Sequence, residues 1–486
     1  MTLPATPSGA TAPAAPPVDV VVLAAGKGTR MKSRTPKVLH RLGGRPLLHH
    51  VLGLSAQIGA RSVVVVTGHG APEVEASCDR FALESQGFSL KYVRQEPQRG
   101  TGHAVQQAVP VLADDGRVLV LSGDVPLTRA QTLQALLAVG EGGARERLAL
   151  LTVQLNDPTG YGRIVRGEDG AVRAIVEEKD ATPAQRAIAE VYSGILVAPA
   201  RWLKTALARL SDDNAQREYY LTDVVKFAVA DGLPVLTHRC ADPVEVAGVN
   251  SPAQLAELER ALQQRQAQAL MAQGVRLADP ARIDLRGELH CAQDVEIDVN
   301  CVFEGRVELG EGVRIGANCV IANARIAAGA VIHPFCHIDG EAQGVQVGEG
   351  ARIGPFARLR PGAVLGAEVH VGNFVEVKNA TLADGAKANH LAYLGDASVG
   401  ARVNYGAGAI TANYDGANKH RTVIGDDVHV GSNAVLVAPV ALGAGATVGA
   451  GSVITKDVPE GALAVTRARQ TTVAGWERPR KNKAGN

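Results

Sequence analysis

Aromatic residues make up only 3% of the 486-residue chain, so its core must be built from aliphatic side chains. Neither sign of charge is in excess: 50 Lys and Arg face 49 Asp and Glu, for a net of +1. That balance argues against a general nucleic-acid binder and against a polyacidic solvating protein. No apolar run approaches the ~20 residues of a membrane-spanning helix, so no membrane partner is expected. The six cysteines (Cys78, Cys240, Cys291, Cys301, Cys319 and Cys336) contain no CxxC pair. A chain of this length needs no disulfide staples, and reduced thiols in a cytoplasmic protein are expected. The first 17 residues carry no Lys or Arg and no apolar stretch. They read as a disordered Ala/Pro tail and not as a signal peptide.

Glycine is what the chain has in surplus, 54 residues, and its distribution changes near position 250. Residues 18–249 alternate apolar strand-like runs with helical stretches. VDVVVLAAG (18–26), VVVVTGHG (63–70) and RVLVLSGD (117–124) each end in glycine and a polar residue. That alternation predicts an α/β domain with a mostly parallel sheet, whose ligands bind at the carboxyl ends of the strands. Residues 251–274 predict a long linking helix, with Ser251 as N-cap, Pro252 in the first turn and Gly274 as the stop. After it the period becomes six. From 347 the chain reads VGEGAR, IGPFAR, LRPGAV, LGAEVH, VGNFVE, VKNATL, and from 424 IGDDVH, VGSNAV, LVAPVA, LGAGAT, VGAGSV, ITKDVP. Strict hexapeptides are the signature of a left-handed parallel β-helix. Each unit lays one aliphatic residue into a triangular prism, and Gly or Asn permits the left-handed backbone at the corner. The predicted organisation is therefore a tail (1–17), an α/β domain (18–250), a linker helix (251–274) and a β-helix domain with a basic C-terminal tail (275–486).

The glycine turn LAAGKGTRM (23–31) is neither a Walker A loop nor a dinucleotide fingerprint, since Met31 stands where a third glycine belongs. With Lys27, Arg30 and Lys37 nearby it still suits a polyphosphate, or it is simply a tight structural turn. In the second half, residues 378–423 keep partial hexapeptides but interpose polar groups, and NYDGANKHR (413–421) reads as a loop inserted between coils. Loops leaving a rigid scaffold are where function concentrates.

LAAGKGTRM with PKVLH (36–40) resembles the signature of sugar-1-phosphate nucleotidyltransferases. QEPQRGTGHA (95–104), SGDVPL (122–127), DPTGYGRI (157–164), VEEKDA (176–181), EYYLTD (218–223) and VAGVN (246–250) match further motifs of that superfamily in order. Joined to the hexapeptides, the chain from about 18 to 478 resembles the bacterial bifunctional family of N-acetylglucosamine-1-phosphate uridylyltransferases/glucosamine-1-phosphate N-acetyltransferases. The resemblance implies a Rossmann-like nucleotidyltransferase domain. Arg30 and Lys37 would be its catalytic cations. Leu23, Ala24, Gly26, Lys37, Gln95, Gly100, Thr101, Ser122, Gly123, Asp124, Gly162, Glu177, Tyr192 and Asn250 would bind UTP and the nucleotide sugar. Asp124 and Asn250, both hard oxygen donors, would hold Mg²⁺. The sugar phosphate is itself the nucleophile, so catalysis is positioning and charge stabilisation. Tyr192 departs from the family, which often has Asn there; a tyrosine can still donate a hydrogen bond.

Acetyl transfer from acetyl-CoA to an amine needs a general base titrating near neutrality. His390, in KANHLAYLGD, matches the family's catalytic histidine; His333 and His337 read as surface or corner residues. Arg360, Lys378, Tyr393 and Asn404 match the positions that bind glucosamine-1-phosphate. Ala407, Asn413, Tyr414, Ser432, Ala450 and Arg467 match those lining the acetyl-CoA groove. The basic residues Arg469, Arg478, Arg480, Lys481 and Lys483 read as a solvated terminus. The resemblance further implies a homotrimer with sites between neighbouring prisms. Two readings of function follow. One is a bifunctional enzyme making UDP-N-acetylglucosamine, with N-acetylglucosamine-1-phosphate as intermediate. The other is a monofunctional nucleotidyltransferase whose β-helix is a scaffold or regulator.

Overall fold

The computed structural model describes residues 16–85, 88–141 and 146–479. Positions 1–15 of the Ala/Pro segment, and Arg480, Lys481 and Lys483, lie outside the described residues. The chain divides into two compact units, Met1–Leu262 and Gln263–Asn486. The six cysteines form no disulfide. Among the described residues, no helix is long and apolar enough to cross a membrane.

The first unit is built on a sheet of nine strands: β1 (Val18–Leu23), β2 (Ser62–Thr67), β3 (Ser89–Arg94), β4 (Arg117–Ser122), β5 (Leu148–Gln154), β6 (Arg163–Arg166), β7 (Val172–Val176), β8 (Glu190–Pro199) and β9 (Val235–Cys240). Its main path runs β9-β5-β8-β4-β1-β2-β3. β1 is central and pairs in parallel with both β2 and β4. Strands buried on both faces need unbroken aliphatic sequence, and Val20, Val21 and Val22 are all fully buried. The mostly parallel expectation holds for β1–β4 and for β5 with β9, but β8 runs antiparallel to β4, β5 and β6, and β6 antiparallel to β7. The chain reaches β8 from the antiparallel β6–β7 hairpin; a helical crossover is what a parallel entry requires.

The helix Pro252–Ala272 starts as expected, with the Gln254 N–H donating to the Ser251 hydroxyl at 3.3 Å. It ends before Gly274, whose φ of +94 stops it. Its N-terminal part packs Leu258 with Met31 and Val249 of the first unit. Its C-terminal part packs Ala267 and Leu270 into the core of the second.

That second core is a column inside a prism with three walls of parallel strands. The first wall is an eleven-stranded sheet running from Arg276–Leu277 to Leu463–Ala464. A sixteen-stranded sheet forms the other two. The second wall includes Arg358–Leu359, Glu376–Lys378, Tyr393–Gly395, Ile410–Ala412, Val435–Val437 and Val453–Ile454. The third includes Val364–Leu365, Thr381–Leu382, Ala397–Val399 and Thr422–Ile424. Every leading residue of the predicted hexapeptides points inward. Ile353, Leu359, Leu365, Val371, Val377, Ile424, Val430, Leu436, Leu442, Val448 and Ile454 are all buried. Each contributes about 2 kcal/mol of burial.

The corners depart from the Gly/Asn rule. Asn318 and Asn433 do adopt left-handed backbone, but so do Phe335, Phe356, Phe374 and Leu391 on successive coils, with φ of 62, 56, 56 and 51. The three rings stack, with centroids 5.0 and 5.3 Å apart. Such stacking returns about 0.5–1.5 kcal/mol per pair, comparable to the ~1–2 kcal/mol cost of the left-handed backbone.

Candidate active sites

In the first unit, the carboxyl ends of β1, β2 and β4 open into a cleft of about 1050 Å³. Parallel pairing sets Leu23 opposite Ser122, so the GKG and SGD turns leave the sheet side by side. Gly28 has a φ of +60, and a Cβ on it would lie 2.7 Å from the Cβ of Lys37. Only glycine lets that turn close over the lysine. Nine of the expected residues line the cleft: Leu23, Ala24, Gly26, Lys37, Gln95, Gly100, Thr101, Ser122 and Asp124. Lys27, His69, Gln98 and Glu218 line it as well.

Lys37 is the centre of a three-residue arrangement. Its Nζ pairs with Asp124 Oδ2 and donates to Asn250 Oδ1 at 3.2 Å. The start of the long helix fixes Asn250, whose N–H donates to Gln254 Oε1 at 2.9 Å. The Val249 N–H donates to the Asp124 carbonyl at 2.9 Å, tying the two turns together. Two hard oxygens thus converge on a cation. Among the described residues, no cluster of three or more His, Cys, Asp or Glu could hold a metal. A donor pair of this kind fits Mg²⁺, which takes one or two protein oxygens and completes its shell with water and phosphates.

The segment from Gln95 to Thr101 is held by hydrogen bonds on both sides. Gln95 is buried, and its Nε2 donates to the Gly100 carbonyl at 2.8 Å. The Thr101 hydroxyl accepts from the Leu221 N–H at 3.2 Å, and the Tyr219 N–H donates to the Arg99 carbonyl at 2.8 Å. EYYLTD therefore serves as the backing of QRGTG. Gly162, Glu177 and Tyr192 form a second cluster. Glu177 Oε1 accepts from the Thr222 hydroxyl at 2.9 Å, and burial pushes its carboxyl above the ordinary range. The Tyr192 N–H donates to the Gly162 carbonyl at 2.9 Å.

Two of the expected residues stand apart from these groups. The Tyr192 hydroxyl is buried in an apolar cluster and has no hydrogen-bond partner among the described residues. Its bulk reaches the core, where the shorter Asn would not, so it presents no donor to a sugar. Arg30 is exposed on the turn Thr29–Met31 and does not line the cleft.

In the second unit, His390 ends the first-wall strand Lys387–His390, at the edge shared with the second wall. Backbone bonds stack that edge coil by coil: Gly408 N–H to the His390 carbonyl, Asn433 N–H to Ala407, and Gly451 N–H to Ser432. His390, Ala407, Ser432 and Ala450 therefore occupy one corner position on consecutive coils. Arg467 Nη1 donates to the Ala450 carbonyl at 2.8 Å. Coils repeat at ~4.8 Å, so the column spans about 14 Å. The ring of His390 is exposed.

Arg360, Lys378 and Tyr393 lie on the second wall. Arg360 Nη1 donates to Glu376 Oε1 at 2.8 Å. Tyr393 lies across Gly395, where a Cβ would come 2.2 Å from the phenol oxygen. Lys378 is held below its ordinary range by Lys419 facing it, with burial and Arg360 adding to the effect. Lys419 was not singled out in the sequence, although the loop carrying it was. Asn404 is on the first wall, paired between Lys387 and His429, so one prism does not gather it with Arg360, Lys378 and Tyr393. The expected acetyl-CoA residues divide likewise. Asn413 and Tyr414 sit at the far edge of the second wall, where the inserted loop leaves; Asn413 Nδ2 bonds Asp396 and the Tyr414 hydroxyl donates to the Gly416 carbonyl at 2.6 Å.

The sequence profile of the MobA-like NTP transferase domain matches residues 20–277. That of the bacterial transferase hexapeptide (six repeats) matches residues 344–379 and 421–456. The protein named bifunctional protein GlmU of Acidovorax ebreus (strain TPSY) is 71% identical over 476 residues, covering 96% of this chain and 99% of its own. Its namesake in Polaromonas naphthalenivorans (strain CJ2) is 72% identical over 468 residues, covering 96% and 98%. That of Aromatoleum aromaticum is 57% identical over 468 residues, covering 96% and 100%. A solved UDP-glucose pyrophosphorylase complexed with UDP-glucose matches 51% of this chain and 99% of its own at a TM-score of 0.42 and 17% identity, too distant to support fold or ligand.

A nucleotidyltransferase unit followed by transferase hexapeptides in a β-helix defines the chain as a transferase. The chain belongs to the family of the bifunctional protein GlmU. It is a uridylyltransferase and an acetyltransferase of UDP-N-acetylglucosamine synthesis, and the scaffold-only reading of the β-helix is set aside.

Proposed function

We propose that acetyl transfer takes place beside His390 and uridylyl transfer in the Lys37 cleft. The amine of glucosamine-1-phosphate attacks the thioester carbonyl of acetyl-CoA. His390 takes the amine proton, the C–S bond breaks, and the thiol leaves with a proton, giving N-acetylglucosamine-1-phosphate. The phosphate of the acceptor belongs with Lys378 and Lys419, whose mutual repulsion an anion relieves. Arg360 adds a third cation. A 14 Å edge lined by Ala407, Ser432 and Ala450 suits an extended pantetheine chain, because small side chains let it lie against the wall.

In the cleft, a phosphate oxygen of N-acetylglucosamine-1-phosphate attacks the α-phosphorus of UTP. The bond to the β-phosphate oxygen breaks and pyrophosphate leaves. Lys37 balances charge on the phosphates, and Gln95, Gly100 and Thr101 read the uracil edge. Gly162 and Glu177 receive the sugar. Asp124 and Asn250 would hold Mg²⁺, which supplies further neutralisation of phosphate charge when bound. The product feeds cell-wall and lipopolysaccharide synthesis, in the cytoplasm where both cosubstrates are found.

The observation that carries this reading is the joining of Lys37, Asp124 and Asn250 in one unit, with the His390 edge in the other. The test is a pair of assays on Lys37→Ala and His390→Ala, each expected to abolish one activity only. We further propose a homotrimer. Asn404 faces away from the other acceptor residues of its own prism, and the Phe335–Phe356–Phe374 ladder is exposed. A second prism against this edge both covers the rings and completes the pocket. Sedimentation equilibrium tests it: a trimer mass is expected, and a monomer overturns it.

A further inference from the structure

We propose that Asn373 is a positioning residue that sets the tautomer and direction of the His390 imidazole; this rests on the reading of His390 as the general base. Asn373 lies one coil before His390 in the same parallel ladder, paired with it directly. Each is followed by a residue in left-handed backbone, Phe374 and Leu391, so both side chains leave the prism at the same corner. The Leu391 N–H donates to the Asn373 carbonyl at 3.0 Å, locking the two coils in register. The side chains meet at 2.7 Å, His390 Nδ1 to Asn373 Oδ1. Among the described residues, this is the only side-chain hydrogen bond to the ring.

An amide oxygen can only accept, so Nδ1 must carry the proton in the neutral ring. The lone pair is then on Nε2, the nitrogen pointing away from Asn373 and available to an incoming amine proton. An exposed histidine without such a partner would populate both tautomers and several rotamers, and only part of the population would be competent. Asparagine also differs from aspartate in kind. It orients the ring without placing a negative charge beside it.

The experiment uses the full chain and measures thiol release from acetyl-CoA with glucosamine-1-phosphate, as a function of pH. Asn373→Leu is expected to lower kcat by about 10- to 100-fold with KM changed less than about threefold, the mark of a misdirected base. Asn373→Asp keeps an acceptor but adds charge, and is expected to move the acid limb of the profile upward by about one pH unit. The charged and titratable groups on the flanking strands, Lys387, Arg358, Glu376 and Tyr393, are unchanged in both variants, so movement of that limb reports the atom introduced at 373. If Asn373→Leu unfolds the β-helix, the acid limb of Asn373→Asp decides alone. Wild-type kcat and an unmoved acid limb overturn the proposal. His390→Ala run alongside separates the two ideas: if it retains wild-type thiol release, the base reading has failed. If it loses thiol release while both Asn373 variants keep wild-type behaviour, only the positioning role has failed.

Discussion

Lys37 and Asn250 are separated by 213 positions in the sequence, yet the lysine ammonium donates to the amide oxygen at 3.2 Å. The same ammonium pairs with Asp124, and both partners of that pair are largely shielded, with 15% and 16% of their side chains exposed. Three turns from distant parts of the chain therefore define one cation-holding point at the floor of a cleft.

In the proposed reading, replacing Lys37 removes the charge that balances the phosphates. Lys37→Ala is expected to lower kcat/KM for pyrophosphate release by about 100-fold or more, as loss of a preorganised electrostatic contact does. Asp124→Asn weakens the donor pair and raises the Mg²⁺ concentration needed for half-maximal rate. Thiol release is unchanged in both. A Lys37→Ala enzyme within threefold of wild type contradicts the assignment.

Gly100 carries a φ of +100, and a Cβ there would lie 2.7 Å from the Tyr219 carbonyl oxygen and 2.9 Å from the Glu218 Cβ. Gly100→Ala strains the backbone and pushes the two motifs apart. A loss of about 1–3 kcal/mol in stability is expected. KM for UTP is expected to rise more than kcat falls, because the effect is on the segment proposed to hold the base. Unchanged melting temperature and KM argue against the close packing described.

Glu177 is buried and its carboxyl is pushed upward by desolvation. A folded-state value above the unfolded one makes ionisation at neutral pH destabilising. Glu177→Gln should therefore raise the melting temperature at pH 8 more than at pH 4, while KM for N-acetylglucosamine-1-phosphate increases. A buried carboxyl kept for the proposed sugar binding and not for stability behaves this way. Equal effects at the two pH values would dismiss the burial argument.

Asp19, at the start of β1, is nearly inaccessible. Burial pushes its carboxyl up, but hydrogen bonds from Arg61 and Ser62 outweigh it and hold it below the ordinary range. Its contribution to stability is complete above the unfolded value near ~3.9 and is lost as pH falls through the folded one. The melting temperature of wild type is expected to drop more steeply below pH 4 than that of Asp19→Asn. Parallel curves would show that the pair contributes nothing.

Much of this was legible from residue order alone, for identifiable reasons. The six-residue period located the inward column because the prism leaves one aliphatic position per unit without alternative. The glycine turns located the cleft because parallel strands deliver all their ends to one rim. Three features escaped. The aromatic corners at Phe335, Phe356 and Phe374 break the residue preference for left-handed backbone, and stacking between coils offsets part of its cost. Lys419 acquires meaning from facing Lys378, a juxtaposition set by where the inserted loop returns. Tyr192 was expected to act through its hydroxyl, but the direction of β8 buries that end of the side chain. Each miss concerns contacts between coils or strands distant in sequence, which local pattern does not encode.

The most direct test of two separate sites is a crossed assay on the full chain. Thiol release from acetyl-CoA and glucosamine-1-phosphate, and pyrophosphate release from UTP and N-acetylglucosamine-1-phosphate, are measured for His390→Ala. A loss of thiol release of about 100-fold or more with pyrophosphate release intact is the predicted result. Thiol release at the wild-type rate in His390→Ala would contradict it.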